Sequence, residues 1–206
     1  MVGEEFRKYV EKAERRYGTS DGVYEECIKE FSKVRLSQLN EDHESRLLRP
    51  FLLAWGTMGR VLGYQGVEVL REKLKDIGGR IEPLRKENLL SGELDELREL
   101  VVELFDEIRE MRFKSRREKE RKVGSTAASK ILHLICPNLF VMWDSAIRTE
   151  YKKRRGNGED YFEFLKEMKA LGKEQESIIK ELQQRYGKRA TRIIDQYNWM
   201  KTHQPE

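Results

Sequence analysis

Residues 122–148 read KVGSTAASKILHLICPNLFVMWDSAIR, and the order of small, apolar and helix-breaking residues in this stretch decides the fold. Val123 and Gly124 lead into a run of small residues, Ser125, Thr126, Ala127 and Ala128. A helix that starts there leaves its first backbone amides uncrowded and open to a phosphate oxygen. Lys130 lies four residues past Thr126 on the same helix face, and Ile131, Leu132, Leu134 and Ile135 then close the helix on a core. Pro137 ends it, because proline lacks the amide hydrogen that a helix interior needs. The apolar run 140–143 delivers Asp144, whose carboxylate can cap a helix starting at Ser145. The stretch therefore predicts helix, turn, helix.

The helical pattern extends in both directions. Upstream, Ser91 is placed to cap a long helix whose stripe includes Leu94, Leu97, Leu100, Val101, Leu104 and Ile108, and the apolar pattern stops for nine residues after Phe113. Residues 67–77 and 81–90 read as shorter helices punctuated by Gly78 and Gly79, and 46–62, apolar on more than one face, as a central helix. Asp21 is a candidate cap for a helix that buries Tyr24, Cys27, Ile28 and Phe31, and 4–17 reads as the first helix with Gly18 behind it. Downstream, Tyr161, Phe162, Phe164, Leu165 and Met168 share one helix, and Ile179, Leu182, Ile193, Ile194, Tyr197 and Met200 the next one or two. No alternating run is long enough to support a sheet, so the expected fold is all-α. It is read as a single compact domain over 1–206, a two-lobed helical bundle with lobes at 1–90 and 91–206.

Composition narrows the setting. Two cysteines, Cys27 and Cys136, make neither a disulfide framework nor a paired zinc site, which points to a reducing compartment and to no metal. No apolar run approaches the roughly 20 residues that cross a bilayer, and the first turns are charged throughout, so the expectation is an intracellular, cytoplasmic protein with no membrane contact. Charged residues form 38% of the chain, a share that fits the surface ion-pair networks of a thermophile. The distribution of charge is more informative than the net +4. Residues 109–122 carry eight basic and three acidic groups, and 148–155 carry five basic and one acidic, so the rest of the chain is net acidic. Such a separation is either a pair of solvated faces or a footprint for phosphates, whose neutralisation releases counterions.

The amine of Lys130, set beside a core, either reaches water or a phosphate, or is partly desolvated, in which case the neutral form becomes a nucleophile. Asp144 is either a plain cap or a carboxylate presented by an apolar strip. His133, three residues past Lys130, reads as a hydrogen-bonded core residue and takes no part in the chemistry.

On Val123, Gly124, Ala128, the run 140–143 and Asp144, the chain resembles the helix-hairpin-helix DNA glycosylase superfamily, with the motif at 114–148 and Arg148 one turn past the aspartate. Lys122 stands where the family has the first glycine of its hairpin. The nucleophilic lysine of lyase members falls near the position of Thr126, whereas this chain has Lys130 one turn later. The resemblance covers about 27 of 206 residues. It implies release of a damaged or modified base from double-stranded DNA, with the base rotated out of the duplex into a pocket. Asp144 would stabilise the cationic sugar, and Lys130 would form a Schiff base that adds strand cleavage. Lys122, Gly124, Ser125, Thr126 and Arg148 would hold DNA. Trp143 and Trp55, with Trp199 and Tyr197 as further candidates, would face the flipped base. No cofactor is implied, and a monomer is favoured. Two other readings stand beside this one: a nucleic-acid-binding helical protein without activity, and a helical module that pairs with an acidic protein.

Overall fold

Asn40, Asp144 and Asn157 each accept a backbone amide at the start of a helix. The computed structural model describes residues 2–17, 21–54, 58–114 and 119–204. In chain order it contains α1 (Val2–Tyr17), α2 (Asp21–Phe31), α3 (Glu41–His43), α4 (Arg49–Ala54), α5 (Met58–Ile81) and α6 (Arg98–Glu110). A two-stranded antiparallel ribbon follows, β1 (Arg112–Lys114) with β2 (Glu120–Lys122), and then α7 (Ser125–Ile135), α8 (Ser145–Glu150), α9 (Gly158–Glu174), α10 (Glu176–Tyr186) and α11 (Ala190–His203). The fold is all-α.

α1 packs along α11, α2 against α4 and α7, and α6 against both α7 and α9. Their facing stripes merge into one continuous apolar core running from Phe6 to Met200. No helix among the described residues is long and apolar enough to cross a membrane.

Several elements depart from the sequence expectations, each for a local reason. The helix expected over 46–62 is interrupted: a π-helical turn (Glu44–Leu48) precedes α4. Pro50 has no amide hydrogen to continue a regular ladder, and a wider turn just ahead of it absorbs the mismatch. The doublet Gly78-Gly79 does not punctuate α5, which runs through both to Ile81. Instead Gly78 lets the backbone approach the 3₁₀ turn Leu36–Gln38, since a Cβ there would lie 3.0 Å from that of Leu36. The bend in α5 falls at Gly63, at φ 61° and ψ −165°.

Ser91 is not a cap, because a 3₁₀ turn (Leu94–Leu97) intervenes before α6. Asp21 opens α2 from inside the helix and turns its carboxylate to Lys188 and Arg192. The expectation of no sheet is corrected by the ribbon, whose strands are three residues each with only Phe113 facing inward, too short to leave an alternating signature. α6 and α7 are thus joined by a ribbon, where the expected helix-hairpin-helix would have a tight turn.

Candidate nucleic-acid interface and reaction site

Asp144 is held from two sides. Its backbone is extended, at φ −130° and ψ −169°, and Oδ1 accepts the amides of Ala146 at 2.9 Å and Ile147 at 3.0 Å, the N-cap of α8. Its other oxygen, Oδ2, lies 3.0 Å from Nε2 of His203. The strip that carries it is stitched to α7: Ser129 Oγ accepts the Trp143 amide at 3.2 Å, and the Trp143 indole donates to the Ser125 carbonyl at 3.1 Å. Asp144 therefore has a fixed position relative to the helix that bears Lys130.

Burial pushes the Lys130 amine below the ordinary lysine value, and the charges of Asp195 and then Asp144 work against that push. Asp195 belongs to a buried ionic cluster that joins α1, α2 and α11. Arg192 donates to Asp21 at 2.9 Å and to Asp195, and Lys188 donates to Asp21 and Glu14. The Arg192 guanidinium also lies 5.1 Å over the ring of Tyr24. Burial raises the Asp195 carboxyl to about 6 in spite of Arg192 and Lys130. Burial opposes the charge on Arg192 too, but Asp195 and Asp21 more than offset it. Among the described residues, Glu14, Asp21 and Asp195 pair with Lys188 and Arg192 in this cluster, and Lys130 is a further positive group whose charge Asp195 feels.

His133 is a hydrogen-bonded core residue. Nδ1 donates to the Phe140 carbonyl at 2.6 Å, which leaves Nε2 to accept the Tyr24 hydroxyl at 2.5 Å. Burial brings its pKa down to about 3, so the ring stays neutral.

The two basic segments converge at the start of α7. The Ser125 hydroxyl donates to the Gly156 carbonyl, and the Gly158 amide to Asp106 on α6 at 2.9 Å, so the loop after α8 lies against the junction of α6, ribbon and α7. Many of the cations there already have partners: Lys122 pairs with Glu110, Arg112 with Glu120, Arg109 with Asp106, Lys153 with Glu167 and Arg155 with Asp160. Arg148 differs. Its guanidinium lies 5.9 Å over the Trp143 ring and close against Gly156, and its Nε is buried with no hydrogen-bond partner among the described residues.

The amide of Gly124 donates to the Arg109 carbonyl at 3.0 Å, which removes it from the set available to an anion; Ser125 and Thr126 are half-buried beside it. Gly124 sits at φ 80° and ψ 166°, a conformation open essentially to glycine alone. Nothing crowds the place a Cβ would occupy. Gly124→Ala is therefore expected to destabilise the fold by about 1–3 kcal/mol through backbone strain alone, read as a lower urea midpoint at unchanged slope.

Among the tryptophans, Trp143 is 1% exposed and packed edge-on against Phe105 and Tyr161, so it presents no face to a base. Trp55 lies outside the described residues. Tyr197 is buried against Phe6 and Tyr9. Trp199 is half-buried and stacks on His203 with ring centres 4.8 Å apart and planes 7° from parallel. It lies on the side of the molecule where Asp144 meets α11.

The structure thus sets Asp144 at the end of a strip stitched to the helix that bears Lys130, places Gly124, Ser125, Thr126 and Arg148 around the start of that helix, and puts Lys122 on the ribbon. Sequence reasoning missed His203, Arg192 and Asp195. One signal was present, the polar pair 192 and 195 one helical turn apart within the apolar run of α11. No group of three or more potential metal ligands occurs among the described residues. Comparison with protein-family models, with curated proteins and with solved structures gave no match to this chain.

Proposed function

We propose that the chain is a repair-type DNA N-glycosylase that binds duplex DNA across the basic face at the start of α7 and releases a damaged or modified base at Asp144. Lys130 serves as an amine nucleophile that adds lyase activity. What supports this reading is an amine whose proton is weakened by burial, carried on the helix to which the strip bearing the anchored Asp144 carboxylate is stitched. A neutral amine can bond to the anomeric carbon of the sugar as the base leaves with the bonding electron pair and takes up a proton. Opening of the sugar ring then gives a Schiff base. The negative charge of Asp144 stabilises the cationic sugar between these states.

The test is incubation with duplexes that each carry one modified base, developed with and without alkali and with borohydride. At least one substrate is expected to lose its base, break without alkali, and leave a covalent adduct on reduction. A second reading, nucleic-acid binding without chemistry, is favoured by one observation: both oxygens of Asp144 already have partners. It predicts duplex affinity that falls steeply with salt and no base loss from any substrate.

A further inference from the structure

His203 is carried on the last turn of α11, and its ring has little freedom. One face stacks on Trp199, Nδ1 lies 3.1 Å from the Trp199 carbonyl and 2.9 Å from Thr202 Oγ1, and Nε2 lies 3.0 Å from Asp144 Oδ2. The Thr202 hydroxyl lies 2.9 Å from the Asn198 carbonyl and 3.3 Å from that of Trp199, and its oxygen is 2.9 Å from Nδ1, so the last turn of the helix holds the ring on its Nδ1 side. A carboxylate faces Nε2. A hydrogen on Nε2 is aimed at the Asp144 carboxylate, a hydrogen bond to a charged acceptor. The end of α11 is itself tied down, because Lys12 and Arg16 of α1 reach the carbonyl and side chain of Gln204.

The consequence concerns the oxygen that chemistry would use. Oδ1 of Asp144 is committed to two backbone amides, so Oδ2 alone can turn towards a sugar, and His203 occupies it. We infer that His203 is a cover on Asp144: a stacked imidazole that holds the second carboxylate oxygen in the free protein and is displaced when the sugar of a bound nucleotide arrives. This rests on the reading of Asp144 as the residue at which the base leaves. In that scheme the duplex itself uncovers the carboxylate, and Trp199, released from the stack, becomes an aromatic face beside it.

The test needs no substrate. Carbodiimide with glycinamide, applied to the full chain and mapped by mass spectrometry, reads how accessible the Asp144 carboxyl is. His203→Phe keeps a ring for Trp199 but has no donor, and is expected to label at Asp144 about threefold to tenfold faster than the unaltered chain, the factor of one hydrogen bond at a partly exposed site. His203→Gln keeps an N–H donor and is expected to label near the original rate. Equal or slower labelling in His203→Phe overturns the inference, and so does a Gln variant that labels as fast as the Phe variant. If the unaltered chain releases no base from any duplex, the glycosylase reading fails by itself, while the labelling rates still decide whether His203 covers Asp144.

Discussion

Arg192→Ala is expected to destabilise the fold by about 3–5 kcal/mol, the effect of removing one partner from a buried ionic cluster and leaving the other charge behind. Arg192 is 4% exposed, lies over Tyr24, and pairs with both Asp21 and Asp195. Without it Asp21 keeps Lys188, whereas Asp195 loses its hydrogen-bonded cation and still feels the charge of Lys130. The sign of the pH dependence follows. The Asp195 carboxyl is already raised to about 6 by burial, and loss of Arg192 raises it further. A carboxyl whose folded-state pKa lies above its unfolded value contributes stability that is full below the unfolded value, near pH 4, and is lost as pH rises through the folded one. The variant should therefore fall further below the unaltered chain at pH 8 than at pH 5, where Asp195 has taken up a proton and the orphaned charge has gone. Urea midpoints at the two pH values measure this. A penalty equal at both would mean that Asp195 is not the group left exposed to burial. Replacing Arg192 by Met, which fills the space without the charge, separates packing from charge: only the pH-dependent part should persist.

What the sequence disclosed follows from how local each signal is. Asp144 as the cap of α8 and Gly124 at the start of α7 are decided by backbone geometry within a few residues, and both are found where the pattern puts them. The same holds for the helices of the C-terminal third, where stripes such as Tyr161, Phe164, Leu165 and Met168 repeat without interruption. Pairs of glycine mislead, because glycine either frees the backbone or lets another segment come close, and the sequence does not distinguish the two. Gly78 does the second, and Gly63 the first. The ribbon is invisible for a different reason: three residues per strand offer no period to read.

At the site, Lys130 and Asp144 were singled out because one short segment holds both, and the Trp143 indole ties the strip before Asp144 to α7 through Ser125. His203 and Asp195 were not, since they arrive from a helix about sixty residues away in the chain whose packing on α8 is a property of the whole core. Trp143 illustrates the limit of residue type. An indole beside a candidate carboxylate suggests a base pocket, yet its neighbours Phe105, Tyr161 and Phe164 enclose it.

Asp144→Asn is expected to reduce base release by about a hundredfold to a thousandfold, the scale on which removing a transition-state charge or donor is felt, while leaving the fold and duplex affinity in place. Asparagine caps a helix about as well as aspartate, so the amides of Ala146 and Ile147 keep an acceptor. The same substitution should have an opposite effect on a second reaction. On a duplex that already contains an abasic site no base has to leave, and borohydride trapping depends only on how much of the Lys130 amine is neutral. Burial lowers its pKa while Asp195 and Asp144 hold the proton on, so removing the charge at 144 lowers that pKa further. A lower pKa means more free amine at a given pH. The rise of trapping with pH should then begin at a lower pH in Asp144→Asn than in the unaltered chain, and Lys130→Met should trap nothing at any pH. If Asp144→Asn loses base release and abasic-site trapping together, the two side chains act as one unit, and the division of roles between carboxylate and amine is wrong. If trapping survives Lys130→Met, the nucleophile is another amine, and the desolvation of Lys130 serves only the packing of α7.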